Sequence, residues 1–192
     1  MYVRCFLGCD LTPQSKIALS EWCEHFARLS ASGPVKVRPA NYHVTSLFLG
    51  HLTSSQLETV VTACANMIEE QRTPLHAFEI ALNDIVFWQK PKIMAAIPLS
   101  VHPTLLALHK LALQVASEAK IQVKHPSSSY RPHVTLYRKV QGDQIAPPLL
   151  MPDIKFVVNQ WHLFESVSTP SGVTYPIRFS WDFSPSFAHR RE

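Results

Sequence analysis

The chain has 192 residues, 46% of them hydrophobic and 17% charged, with a formal net charge of +4. That length fits one domain, or two small lobes sharing a core, and the apolar content is enough to fold without disulfide or metal staples. No apolar run approaches the roughly 18 residues of a membrane span, and so mild a positive charge suits an anionic substrate without demanding nucleic acid.

The first residues lack the basic, apolar and small-residue zones of a signal peptide and read instead as a strand over 2–8 that closes at Asp10. Thr12-Pro13 then caps a helix whose Leu19, Trp22, Cys23, Phe26 and Leu29 share one face. Ser32-Gly33-Pro34 breaks the chain before a short strand at 35–37. A strand over 43–49 follows and is expected to end at Gly50. Thr53 and Gln56 fit a capping box that opens the clearest helix, with Leu57, Val60, Val61, Cys64 and Ile68 in one stripe. Strands are expected over 78–88 and 93–97, joined by the turn Gln89-Lys90-Pro91.

The second half repeats this order loosely. A helix carrying Leu105, Leu108, Ala112 and Val115 leads to a short strand at 121–123, a polar loop at 126–129 and a strand beginning at His133. After a link containing Ala146-Pro147-Pro148, two strands are expected over 156–165 and 174–183. Strands outnumber helices and adjoin through short turns, which predicts an α+β fold of antiparallel sheets with helices packed outside. Cys5, Cys9, Cys23 and Cys64 contain no Cys-x-x-Cys and no ligand spacing, so they read as reduced buried thiols of a cytoplasmic protein, with no metal site.

The most informative pattern is His-Val-Thr, present at His43 and again at His133, 90 residues later. Residues two apart on a strand point to one face, so facing strands of this kind would gather two imidazoles and two hydroxyls, Thr45 and Thr135, around one small anion. Two other His-x-Thr triplets, at His51 and His102, run into helix starts and are read as coincidence. Arg131 and Arg138 are secondary candidates for binding phosphate, and Tyr137 for stacking a base. Strict alternation puts Tyr137 on the face of His133 and Arg138 opposite it. Phe48 is a further candidate for stacking a base, but the same rule turns it away from His43 and favours the core. Trp88, Trp161 and Trp181 read as core, and the remaining histidines as structural or surface residues.

Asn41-Tyr42-His43-Val44-Thr45 with Phe48-Leu49-Gly50, and Arg131-Pro132-His133-Val134-Thr135-Leu136-Tyr137-Arg138, together resemble the 2H phosphoesterases, and within them the RNA 2',3'-cyclic phosphodiesterases, or 2'-5' RNA ligases, of bacteria and archaea. Asp10 at the end of the first strand, and Glu165-Ser166 with Gly172 and Tyr175, extend the likeness over nearly the whole chain. The resemblance implies a single LigT-like domain of two pseudo-symmetric lobes around a central cleft, each lobe giving one His-x-Thr strand. It implies no cofactor, a monomer, and hydrolysis of RNA or nucleotide 2',3'-cyclic phosphates to 2'-phosphomonoesters, with ATP-independent ligation as the reverse reaction. His43 would be the proton donor and His133 the proton acceptor, an assignment the residues by themselves leave open. A related cyclic phosphate such as ADP-ribose 1'',2''-cyclic phosphate, or RNA binding without catalysis, are the alternatives. One departure stands out: Ser46 occupies a position that is usually apolar in the family, and an irregular strand there would put the placement of Thr45 in doubt.

Overall fold

The first apolar run becomes the centre of the fold. In the computed structural model, which describes residues 2–26, 33–69, 75–123, 130–141, 148, 150–170 and 172–183, β1 (Val3–Asp10) is hydrogen-bonded on both edges. It lies between β3 (His43–Leu52) and β9 (Gln160–Glu165), and β12 (Ile177–Asp182) completes an antiparallel sheet in the order β12-β9-β1-β3. A second four-stranded antiparallel sheet has the order β2-β7-β6-β5, from Val35–Lys36, Val134–Arg138, Ile93–Ile97 and Asp84–Trp88. The two His-Val-Thr triplets therefore belong to different sheets. Short ribbons pair β4 (Phe78–Leu82) with β8 (Ile154–Val158), and β10 (Val167–Thr169) with β11 (Gly172–Thr174).

Three helices cover the sheets: α1 (Pro13–Phe26), α2 (Ser54–Glu69) and α3 (Pro103–Glu118). Their starts follow the predicted chemistry. Thr12 Oγ1 accepts from the Ser15 amide, and Thr53 and Gln56 form the reciprocal capping box. His102 caps α3 by accepting from the Thr104 amide, which occupies its imidazole structurally. The core collects Leu19, Trp22, Leu52, Val60, Leu105, Leu108, Val115 and Trp161 with the inward face of β1. This is the α+β arrangement expected. No helix among the described residues is long and apolar enough to cross a membrane. The four cysteines are free and buried; burial pushes the Cys5 and Cys23 thiols up to about 11 and Cys9 to about 12, where they stay protonated.

Several predicted boundaries are corrected. Segment 78–88 is two strands in two sheets, broken at Asn83, whose side chain accepts from the Leu99 amide. Segment 156–165 likewise breaks at Asn159, whose carbonyl accepts from Phe183. No strand forms at 121–123: the Ile121 amide returns to the Ala116 carbonyl and closes the end of α3. Leu29 and the polar loop at 126–129 lie outside the described residues. Finally, β3 does not stop at Gly50. That glycine, at φ 81°, lets the strand bend and continue to Leu52.

Candidate active site

The pairing of β3 with β1 sets the first half of the site. Asp10 faces His43 and Gly8 faces Thr45, so His43 and Thr45 share a face. The next pairs are Leu7 with Leu47 and Phe6 with Phe48, leaving Ser46 as the extra residue of a β-bulge. The bulge begins just after Thr45, which keeps the triplet intact but reverses the alternation beyond it. Phe48 consequently lands on the face of His43, 58% exposed, with its ring 5.4 Å from Phe6. Gly8 permits the close approach of β1 here, because a Cβ at that position would sit 2.5 Å from the Val44 carbonyl oxygen.

The bulge is tied down from both sides. Its residue, Ser46, is 3% exposed and its hydroxyl accepts from the buried Trp161 indole at 3.1 Å. His109 on α3 donates from Nδ1 to the Ser46 carbonyl at 2.8 Å and stacks on Tyr130 at 4.5 Å. Tyr130 in turn donates to the Thr45 carbonyl at 3.2 Å. Ser46 supplies the acceptor that a buried indole N–H needs.

The strand β7 repeats the device. Ala96 pairs with Val134 and Ala95 with Thr135, then Met94 with Tyr137 and Ile93 with Arg138, so Leu136 is extra. Its carbonyl is taken by the Val37 amide at 2.8 Å. Ser46 and Leu136 both stand three residues after their histidine, and both bulges reverse the same alternation. Arg138 therefore joins the face of Thr135, as Phe48 joins that of Thr45.

Each histidine is oriented in the same way. His43 Nδ1 donates to the Asn41 carbonyl at 2.7 Å, and His133 Nδ1 to the Arg131 carbonyl at 2.8 Å. Both rings thereby leave Nε2 with its lone pair. The Thr45 and Thr135 hydroxyls have no partner among the described residues. The rings differ in their surroundings. His43 packs against Phe6 at 4.6 Å, Tyr175 at 5.0 Å and Phe164 at 5.6 Å, whereas His133 meets the edge of Trp88 at 4.7 Å.

Desolvation lowers both imidazoles from their ordinary value, His43 to about 4, only partly offset by the Nδ1 bonds. The charge of His133 acts on His43, and Arg138 acts on both. The two rings and the guanidinium thus occupy one neighbourhood between the sheets, where β3 approaches β7.

A cavity of about 400 Å³ borders Phe6 and Tyr175, two of the rings packed on His43, and is walled also by Phe48 and by the cations Arg4, Lys36, Arg38 and Arg138; neither histidine lines it. Among the described residues no acidic side chain lines it. Lys36 is engaged with Glu24 at 2.9 Å, while Arg4 and Arg138 have no acidic partner among the described residues. Such a space suits a planar ring and anionic groups. Among the described residues no cluster of three or more His, Cys, Asp or Glu could hold a metal ion.

Residues 10–94 match the family described as LigT like Phosphoesterase. Over 136 residues the chain is 29% identical to an RNA 2',3'-cyclic phosphodiesterase of Bacillus subtilis (strain 168), covering 67% of this chain and 70% of that protein. Its fold matches E. coli LigT complexed with 3'-AMP at a TM-score of 0.83 and 17% identity, over 96% of this chain and 99% of the other. A Thermus thermophilus protein matches at 0.78 and 19% identity, over 95% and 99%. In sequence and in fold the chain is similar to the LigT-like phosphoesterases.

His43, Thr45, His133 and Thr135 lie on the cleft faces of their strands. Arg138 is there too, against strict alternation. Tyr137 is not: it shares the face of Val134 and packs toward the core, where Cys23 and Glu24 affect its titration. Arg131 has an exposed side chain and contributes its backbone carbonyl to His133. Phe48 is corrected from core to cleft, and Trp88 from core to the wall of His133. Trp161 is fully buried, as expected. Sequence reading missed Phe6, Phe164 and Tyr130, while His109, read with the remaining histidines as structural or surface, holds the bulge from α3. Their side chains look like ordinary strand, loop and helix residues until the register brings them to the triplets.

Proposed function

We propose that this LigT-like chain hydrolyses 2',3'-cyclic phosphodiesters at RNA ends or on nucleotides, releasing 2'-phosphomonoesters. The observation that supports this most is the matched pair of imidazoles, each pinned at Nδ1 and electrostatically coupled across the cleft. The name of the Bacillus subtilis relative points to the same substrate class.

In this reading His133 Nε2 takes a proton from water as the water oxygen bonds to phosphorus. The bond from phosphorus to the 3'-oxygen breaks, and that oxygen receives a proton from Nε2 of His43. Thr45 and Thr135 donate to the non-bridging oxygens, and Arg138 balances the charge that develops there. In the empty cleft His43 is neutral at pH 7, since its pKa is about 4. The phosphate anion favours the imidazolium and so helps charge the acid it needs. Both proton transfers are assigned to protein side chains, so the chemistry requires no metal. The reverse sequence would join a cyclic phosphate to a 5'-hydroxyl without ATP. On this reading the chain is a single domain of two pseudo-symmetric lobes.

The test is product analysis after incubation with 2',3'-cyclic nucleotides and with RNA bearing a cyclic end, with and without chelator. A 2'-phosphate formed in the presence of chelator is the expected result. A 3'-phosphate, or no turnover of any cyclic substrate, would overturn the reading.

A further inference from the structure

A second cavity, of about 480 Å³, also borders Arg138. Its wall includes Lys92, Lys139, Gln141 and Arg138, with no acidic residue among the described residues. Arg138 lines both cavities and its charge acts on both histidines, which links the histidine neighbourhood to the two lysines. Lys92 closes the turn between β5 and β6, and Lys139 follows β7; the Val140 amide bonds to the Lys92 carbonyl at 3.0 Å and holds the two turns together.

Both lysines have left-handed backbones, φ 63° at Lys92 and 58° at Lys139. Glycine meets that conformation without strain, yet this chain carries a long cationic side chain at each turn. Neither lysine has an ion-pair partner among the described residues. Two neighbouring cations with strained backbones, without an ion-pair partner among the described residues and beside Arg138, are what a phosphodiester backbone would meet.

We infer that Lys92 and Lys139, with Arg138 as the link, form a binding track for the phosphates of a single-stranded RNA whose cyclic end lies between His43 and His133. This rests on the reaction proposed above and narrows its substrate from a mononucleotide to an oligonucleotide. The track reads charge, so it carries no base preference.

The experiment compares kcat/KM for a 2',3'-cyclic mononucleotide with that for oligoribonucleotides of two to six residues bearing the same end. It is run for the unmodified protein and for the double variant Lys92→Gly, Lys139→Gly. Glycine removes the charges while easing both turns, so the variant keeps its fold; an unchanged melting temperature checks this. The unmodified protein is expected to favour the oligonucleotides, and the variant to lose roughly tenfold of that ratio. The slope of log affinity against log salt is expected to flatten by about 0.7 for each phosphate that the variant no longer neutralises.

Fluorescence anisotropy with a labelled oligoribonucleotide carrying a 3'-phosphate reads the track without any turnover. Binding weakened in the double variant, with no hydrolysis by either protein, would support the track and reject the reaction. Equal oligonucleotide binding and equal salt slopes for the two proteins would overturn the track, as would a protein that hydrolyses mononucleotide and oligonucleotide ends equally well.

Discussion

β3 is the edge strand of its sheet, while β7 lies between two neighbours, yet each presents histidine and threonine and then bulges at the third residue after the histidine. The walls diverge around this shared device. On the β3 side three aromatic rings enclose His43, and the bulge delivers another, Phe48. On the β7 side one indole edge meets His133, and the bulge delivers a guanidinium. The two strands share geometry and differ in surroundings, and the surroundings set how far each imidazole titrates below its ordinary value. A wall of rings dries and neutralises its imidazole; a wall with an arginine also offers charge to an anion.

The sharpest way to break the comparison is to remove each imidazole in turn. His43→Ala and His133→Ala are each expected to lose about 10²–10⁴ in turnover of a 2',3'-cyclic nucleotide. If His43 is the acid, an aryl phosphodiester with a good leaving group should restore much of the activity of His43→Ala and little of that of His133→Ala. Equal rescue of both variants would remove the assigned roles. Next in size, Thr45→Val and Thr135→Val should each cost about 1.5–3 kcal/mol of transition-state stabilisation, the loss of one hydrogen bond to a charged group. Full activity in either would show that its hydroxyl does not touch the phosphate.

The bulge on β3 has its own test. Ser46→Ala leaves the buried Trp161 N–H without an acceptor and is expected to destabilise the fold by about 1–3 kcal/mol in denaturant unfolding. An unaltered midpoint would mean that the hydroxyl is dispensable. Phe48→Ala should raise KM through loss of about 1–3 kcal/mol of base stacking, with a smaller change in kcat. A cyclic ribose phosphate lacking a base should not register this substitution.

The subtlest difference is in pH dependence. Turnover needs one imidazole protonated and the other neutral, and kcat/KM reports the empty cleft. Both groups titrate below their ordinary value, His43 at about 4, so the optimum of kcat/KM should lie below pH 6.5. As pH rises through the higher of the two values the acid is lost, and below the lower one the base is lost. Bound phosphate favours the imidazolium, so the kcat profile should sit at higher pH than that of kcat/KM. Coincident profiles centred above pH 7 would contradict the desolvation of these rings.

The fold class and the paired triplets were legible from the sequence because both rest on local pattern. Apolar spacing reports which face of a helix is buried, Thr12 and Thr53 carry their caps in neighbouring residues, and two residues on a strand share a face whatever the strand packs against. Strict alternation failed at Phe48, Tyr137 and Arg138 for one reason. A bulge is a property of two paired strands: Ser46 and Leu136 become extra residues only when counted against β1 and β6. Nothing within either segment announces that count. The breaks at Asn83 and Asn159 escaped for a similar reason, since a change of sheet depends on partners distant in the chain. Local chemistry thus named the groups suited to acid–base work, and the pairing of strands decided which other side chains share their cleft.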